Sequence, residues 1–322
     1  MNLSAFTAVE QKKISEYERT RLFSLFWEVR ALLYLGVLFL SAGLGILVYK
    51  NIDTIGHEAI LIFMGMLALV CLTYCFRKAP PFSPGPTVFD SSWTDYILLL
   101  SVLLIGILVG YSQFTYSIFG RRYGLALGLP ALVYLLLAYR FDHRGVLQLA
   151  LSGIAAAFGI AVSPISMVQD FNLSHPLPSY TGLAVSVAFG AASLISEHKD
   201  FKSHFSFSFL NFSMHLAFAA CLSGMFSQGN LLSWSFTILL ALLAGGFWKY
   251  GQHKQSPYFL LCSVVYGYIG LTYTFLHFLF KTTAATTATI YLALLYFILS
   301  CVGTIYFFLN LKSFLDSDDS SL

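Results

Sequence analysis

The chain has 322 residues, of which 57% are hydrophobic, 17% aromatic and only 10% charged. A soluble domain carries roughly 25% charged residues, so this chain could not cover its own surface in water. A net charge of +3 scattered among short connections gives no nucleic-acid-binding patch, and runs that are apolar on every face exclude barrel strands, which alternate apolar and polar residues.

The N-terminal stretch mixes Glu10, Lys12, Lys13, Glu16, Glu18, Arg19 and Arg21 before any long apolar run. No removable signal peptide is therefore expected, and the first span itself acts as the insertion signal. Between Thr7 and Val29 there is no Gly or Pro, and Lys12 with Glu16 and Glu18 with Arg21 stand at helical spacing. The expectation is a cytoplasmic helix over residues 1–30 that anchors the first span at the interface; docking a membrane or cytoplasmic protein partner is the alternative.

Apolar runs long enough to cross about 30 Å of hydrocarbon then recur. They predict an all-α transmembrane bundle of about ten spans within a domain covering 31–311. The predicted spans are 31–48, 56–75, 96–115, 123–139, 145–163, 180–196, 207–226, 231–248, 257–280 and 285–311. Arg121 and Arg122 are the main reason to separate the third from the fourth. Ala79-Pro80-Pro81-Phe82-Ser83-Pro84-Gly85-Pro86 predicts an extended linker, since proline removes donors and bars helix. The connection from Pro164 to Ser179, with Asp170, Asn172 and His175 and no Lys or Arg, reads as the longest outer loop, and residues 312–322 as an acidic cytoplasmic tail.

Positive charge is retained on the cytoplasmic side during insertion. With the N-terminus inside, Lys12, Lys13, Arg19, Arg21, Arg30, Arg77, Lys78, Arg140, Arg144, Lys199, Lys202, Lys249, Lys254 and Lys312 fall inside. Only Lys50, Arg121, Arg122 and Lys281 fall outside. The bias predicts an even number of spans with both termini cytoplasmic. All five cysteines, Cys71, Cys75, Cys221, Cys262 and Cys301, lie inside predicted helices as small apolar fillers, and no His or carboxylate accompanies the Cys71–Cys75 pair to complete a metal site.

Trp27-Glu28-Val29-Arg30 leads into Leu33-Tyr34-Leu35-Gly36-Val37 and Gly43-Leu44-Gly45-Ile46-Leu47. Later, Ala138-Tyr139-Arg140-Phe141-Asp142-His143-Arg144-Gly145-Val146-Leu147 is followed by Ser152-Gly153-Ile154-Ala155-Ala156-Ala157. Together these stretches, over about the first half of the chain, resemble the bacterial membrane proteins grouped as domain of unknown function 2157 (DUF2157). The resemblance implies a short cytoplasmic N-terminal helix, an early glycine-containing helical hairpin and further spans. The N-terminal region here is shorter than that pattern, and the resemblance implies no reaction and no catalytic residues.

Ionisable groups deep in a membrane are default functional candidates, and no span has a central Asp, Glu, Lys or Arg. That argues against a carboxylate-driven pump or a paired-aspartate protease, and no HExxH zinc motif occurs. Two polar stripes do occur. In the seventh span Ser208, Asn211, His215 and Ser223 share a face, and in the ninth Ser263, Tyr266, Gly270, Tyr273 and His277 do so. Lipid does not tolerate such faces, so they turn inward. One reading has them hydrogen-bond between helices. The other has them line a polar cavity, with Ser208, Asn211, His215, Tyr266, Tyr273 and His277 as ligand or pathway candidates and a histidine binding a small ligand or relaying a proton.

Gly106 with Gly110, and Gly120, Gly124 and Gly128, suggest close helix packing and, by extension, an oligomer interface. Pro130 and Pro257 are expected to kink or start helices. No phosphate loop, nucleophile elbow or metal-ligand cluster stands out, and no cofactor is expected. The sequence thus points to a non-enzymatic, multi-pass protein of a bacterial cytoplasmic (inner) membrane in contact with the lipid bilayer, in a structural or accessory role. A carrier or channel for a small uncharged solute is the alternative.

Overall fold

A computed structural model describes residues 25–87, 89, 91–162, 177–226, 231–282 and 287–316. Among these the chain is helical and contains no strand. Ten long helices follow one another: α1 (Leu25–Ile55), α2 (His57–Lys78), α3 (Ser92–Tyr116), α4 (Tyr123–Phe141), α5 (Arg144–Val162), α6 (Leu177–His198), α7 (Ser206–Phe226), α8 (Leu231–His253), α9 (Pro257–Thr282) and α10 (Thr287–Leu309). A short α11 (Leu311–Asp316) closes the series. Nine of the ten are long and apolar enough to span a membrane. The remaining one, α8, has 23 residues, about 34 Å of helix at the usual rise.

A helix stands at each of the ten expected spans, but several run past their predicted ends. The first was expected to stop at residue 48, yet α1 continues to Ile55 and α2 follows after Gly56 alone, whose φ of 83° is a conformation glycine adopts without steric cost. Lys50, Asn51 and Asp53 end an apolar run without breaking a helix. Hydropathy marks where immersion stops, not where hydrogen bonding stops. Asp95, expected just ahead of the third span, is likewise in the first turn of α3. The break at Arg121–Arg122 is real, since α3 ends at Tyr116 and α4 begins at Tyr123. The outer loop was expected to reach Ser179, but α6 begins at Leu177 with Pro178 in its first turn, where a missing N–H costs nothing. The rest of that loop, most of the expected N-terminal helix and the tail from residue 317 lie outside the described residues.

The chain divides into two compact units, one of residues 1–122 and 129–150, the other of 123–128 and 151–322. In the first, Ile60, Met64 and Ala68 repeat every four residues along α2 and pack on Leu104 of α3, with Leu44 of α1 against them. Gly106 accommodates the Tyr134 side chain of α4, into which a Cβ would intrude. In the second unit, Met214, Phe218, Cys221 and Met225 of α7 meet Phe236 and Leu240 of α8 and Phe259 of α9. α10 attaches to α9 through Thr272–Tyr296 and Tyr268–Ser300 hydroxyl pairs at 2.7 and 3.1 Å. α11 folds back on α8, where Gln252 Nε2 donates to the Phe314 carbonyl at 2.9 Å and Trp248 meets the Phe314 ring edge-on.

The second unit also contains a seam that the two polar stripes do not foreshadow. Ser179, Ser186 and Ser193 of α6 are seven residues apart and buried, and Ser193 and Ser186 face Ser206 and Ser213 of α7, also seven apart. Ser193 Oγ is 2.8 Å from Ser206 Oγ and donates to the Ser206 carbonyl at 2.9 Å. Ser213 Oγ donates to the Ser186 carbonyl at 2.7 Å. A Cβ on Gly182 would stand 3.0 Å from the Ala220 Cβ, and one on Gly190 would stand 3.1 Å from Ser213 Oγ. A strict seven-residue repeat keeps one narrow stripe facing its neighbour, and small residues let backbones approach and hydroxyls reach carbonyls across the gap.

The glycine pattern on the third and fourth spans has an internal explanation. A Cβ on Gly124 would fall 2.8 Å from the Ala157 carbonyl oxygen, and one on Gly128 would fall 3.4 Å from the Ala157 Cβ, so both glycines serve packing of α4 on α5. Gly110 has nothing within contact distance of an added Cβ, and Gly120 lies in the turn after α3 with φ of 56°.

Candidate functional site

Of the residues singled out from sequence, Asn211, His215 and Tyr266 come together in the second unit, and Tyr258 joins them. Asn211 and His215 are one turn apart on α7; Tyr258 and Tyr266 are two turns apart on α9. His215 Nδ1 is 2.9 Å from Tyr266 Oη, and Nε2 is 2.7 Å from Tyr258 Oη. Tyr258 Oη donates to Asn211 Oδ1 at 2.5 Å. That last bond fixes the rest. The Tyr258 proton is committed to Asn211, so its oxygen accepts from His215 Nε2–H, and Nδ1 accepts from the Tyr266 hydroxyl. The result is a one-way chain from Tyr266 through His215 and Tyr258 to Asn211, with both imidazole nitrogens occupied.

The other candidates are elsewhere. Ser208 is buried on α7. Tyr273 stacks on His277 with ring centroids 5.6 Å apart and meets Phe226 edge-on at 4.6 Å. His277 is exposed, eleven residues along α9 from Tyr266, or about 16 Å along the axis. Ser263 and Gly270 turn to α8: Ser263 Oγ donates to the Ala244 carbonyl at 2.5 Å, and Gly270 lies against Leu240. The ninth-span stripe is thus shared between two neighbours. Tyr258 escapes a stripe drawn from the middle of the span because it lies one residue into α9, although it extends the Tyr266 face by eight residues.

The first unit holds a polar cluster where the residues between α2 and α3 meet the turn between α4 and α5. Asp142, with φ of 58°, ends α4 by donating its N–H to the Ala138 carbonyl. Its Oδ2 accepts from the Thr87 N–H at 2.5 Å and from Thr87 Oγ1 at 3.2 Å. Arg140 donates to the Pro80 carbonyl at 3.2 Å, with its guanidinium over the Phe76 and Phe141 rings at 5.9 and 5.5 Å. The proline-rich stretch is thereby strapped at both ends to residues 140–142. His143, only 6% exposed, caps α5: its Nδ1 accepts the Val146 N–H at 3.1 Å, while Nε2 has no partner. His143 lies in the turn outside the spanning segments, where burial, then the positive charge of Arg30, pushes its pKa down from 6.5 to about 4.

At the opposite end of this unit His57 Nδ1 is 2.7 Å from Tyr111 Oη, and Tyr116 Oη donates to Glu58 at 2.7 Å. The five cysteines are unpaired. Among the described residues no three or more His, Cys, Asp or Glu side chains gather as a metal site.

Of the stretches that carry the family resemblance, those from Trp27 to Leu47 and from Ala138 to Leu147 belong to the first unit, and Ser152–Ala157 belongs to the second. Residues 3–147 match the DUF2157 family, described as a predicted membrane protein. The DUF2157 match stops within the first turn of α5, so the strap, the α4–α5 turn and the His143 cap fall inside it, while the His215 relay falls outside. No curated protein and no solved structure matches the chain.

Proposed function

We propose that this protein is a non-enzymatic structural or accessory component of a bacterial cytoplasmic membrane, with both termini on the cytoplasmic side. The observation that carries the reading is how polar groups within the spans are used. Several are engaged between helices: the His215 relay links α7 to α9, and Ser193 and Ser213 bond across the α6–α7 seam. A protein whose intramembrane polarity is directed at its own helices is built to hold a shape. The test is crosslinking in native membranes, where a defined protein partner should be recovered and then lost on deleting residues 1–25. Recovery of lipid and self alone overturns the reading.

A carrier for a small uncharged solute is the second reading, and the continuous Asn211–Tyr258–His215–Tyr266 chain favours it. A solute with one donor and one acceptor could take the place of a tyrosine hydroxyl. In liposomes, such a protein would move solute at a rate cut by His215→Ala and Asn211→Ala at unchanged insertion. Equal flux in wild type and both variants removes this reading.

A further inference from the structure

Two consecutive turn residues, Asp142 and His143, close α4, hold the strap and cap α5. We propose that His143 is a proton-operated latch: protonating its ring uncaps α5 and releases the strap of residues 79–87 from the α4–α5 turn. The cap bond requires a lone pair on Nδ1, because that atom accepts the Val146 N–H. A protonated imidazole carries hydrogen on both nitrogens, so donor would face donor and the bond would be lost. The ring cannot easily swing away while the turn stays closed. It is buried, and a Cβ on Gly145 would fall 2.9 Å from its Cε1.

The surroundings oppose the charged form without forbidding it. From α1, Arg30 bears on the ring electrostatically, and Tyr34 Oη lies 4.0 Å from the Gly145 Cβ position. From α3, Tyr96 meets the Tyr34 ring edge-on at 5.4 Å and Asp95 is within electrostatic range of Arg30. In sequence Asp142 precedes the ring and Arg144 follows it. An imidazole in the opened turn regains its ordinary pKa of 6.5, against about 4 when closed. The open state therefore binds more protons. The latch is fully held above pH 6.5 and weakens as pH falls towards 4. From well above pH 6.5 to well below pH 4 the ratio of open to closed rises by roughly 300-fold in all.

Release reaches the strap because its anchors are the preceding residues: Thr87 is held by Asp142, and Pro80 by Arg140. The test is hydrogen exchange on the full chain in nanodiscs, read as protection factors for residues 79–89 and 144–148. Lowering the pH from about 7.5 to about 4.5 should reduce protection in both segments together by more than tenfold. His143→Asn keeps a capping acceptor but does not titrate, and should abolish the pH dependence. Gly145→Ala, which crowds the ring, should lower protection by a similar factor at every pH.

Asp142 is the carboxylate that holds Thr87, so Asp142→Asn, which retains an acceptor for Thr87, separates the two groups. If His143→Asn still opens in acid while Asp142→Asn does not, the carboxylate is the switch and the proposal is overturned. It also falls if the two segments lose protection at different pH values, or if neither loses any.

Discussion

Tyr258 is the residue on which the α7–α9 contact turns, because its hydroxyl serves two partners at once. Replacing it with Phe strands the His215 Nε2–H and the Asn211 Oδ1 together. Tyr266→Phe strands only a lone pair on Nδ1, and an unmet acceptor is more easily accommodated than an unmet donor. Each polar group left without a partner away from water costs about 1–3 kcal/mol. Equilibrium unfolding in mild detergent should therefore rank Tyr258→Phe clearly below Tyr266→Phe, with wild type the most stable. Equal losses would mean that the bonds are not arranged in the order derived from Asn211. The Asn211 amide also limits the chain chemically: it accepts the Tyr258 hydrogen bond but is no base, so a proton moving from Tyr266 would have nowhere further to go.

Among the helix pairs, the α6–α7 seam makes the sharpest claim. Two of its three rungs are hydrogen-bonded. At the third level Gly182 packs on Ala220, and Ser179, which is 1% exposed with an unpartnered Oγ, precedes Gly182 by three residues on α6. Ala220→Ser should supply the missing partner and raise unfolding stability by about 0.5–1 kcal/mol, the usual worth of such a bond between membrane helices. Gly190→Leu should do the reverse by wedging the helices apart at Ser213, where even a Cβ is close. A neutral Ala220→Ser would show that the third rung does not close.

This seam also marks the limit of what is legible in the sequence. Ser186 and Ser193 stand as isolated polar residues inside an apolar run, Ser179 and Ser206 fall just outside the predicted spans, and the seven-residue spacing is the signal that links the seam. Span positions are legible because a run of about 20 apolar residues matches the thickness of the hydrocarbon layer and little else. Helix ends are not, since residues such as Lys50 and Asp53 leave the membrane without leaving the helix. Three of the relay's four residues are legible from the Asn211–His215 and Tyr266 stripes, and Tyr258 is not. The strap's anchorage is not: Thr87 and Asp142 are 55 residues apart, and no local pattern announces a pairing at that distance.

Across the whole molecule, the decisive variable is which side of the bilayer each connection occupies. The proposed placement of both termini on one side requires all ten long helices to cross, and fourteen of the eighteen lysines and arginines belong to the termini and the even-numbered connections. Reporters active on only one side of the bilayer, inserted at 83, 143, 201 and 255 and after 316, should therefore all report the cytoplasm. Those inserted at 120, 170, 228 and 285 should report the opposite side. Residues 117–122 are the most demanding case, because they carry Arg121 and Arg122 on the side that should be poor in positive charge. Replacing both with Ala removes half of the four opposing charges, so it should leave every reporter in place and raise the inserted fraction. If the reporter at 120 instead joins those at 83 and 143, α3 and α4 do not cross as separate spans. The count of ten and the shared side of the termini would then be wrong together.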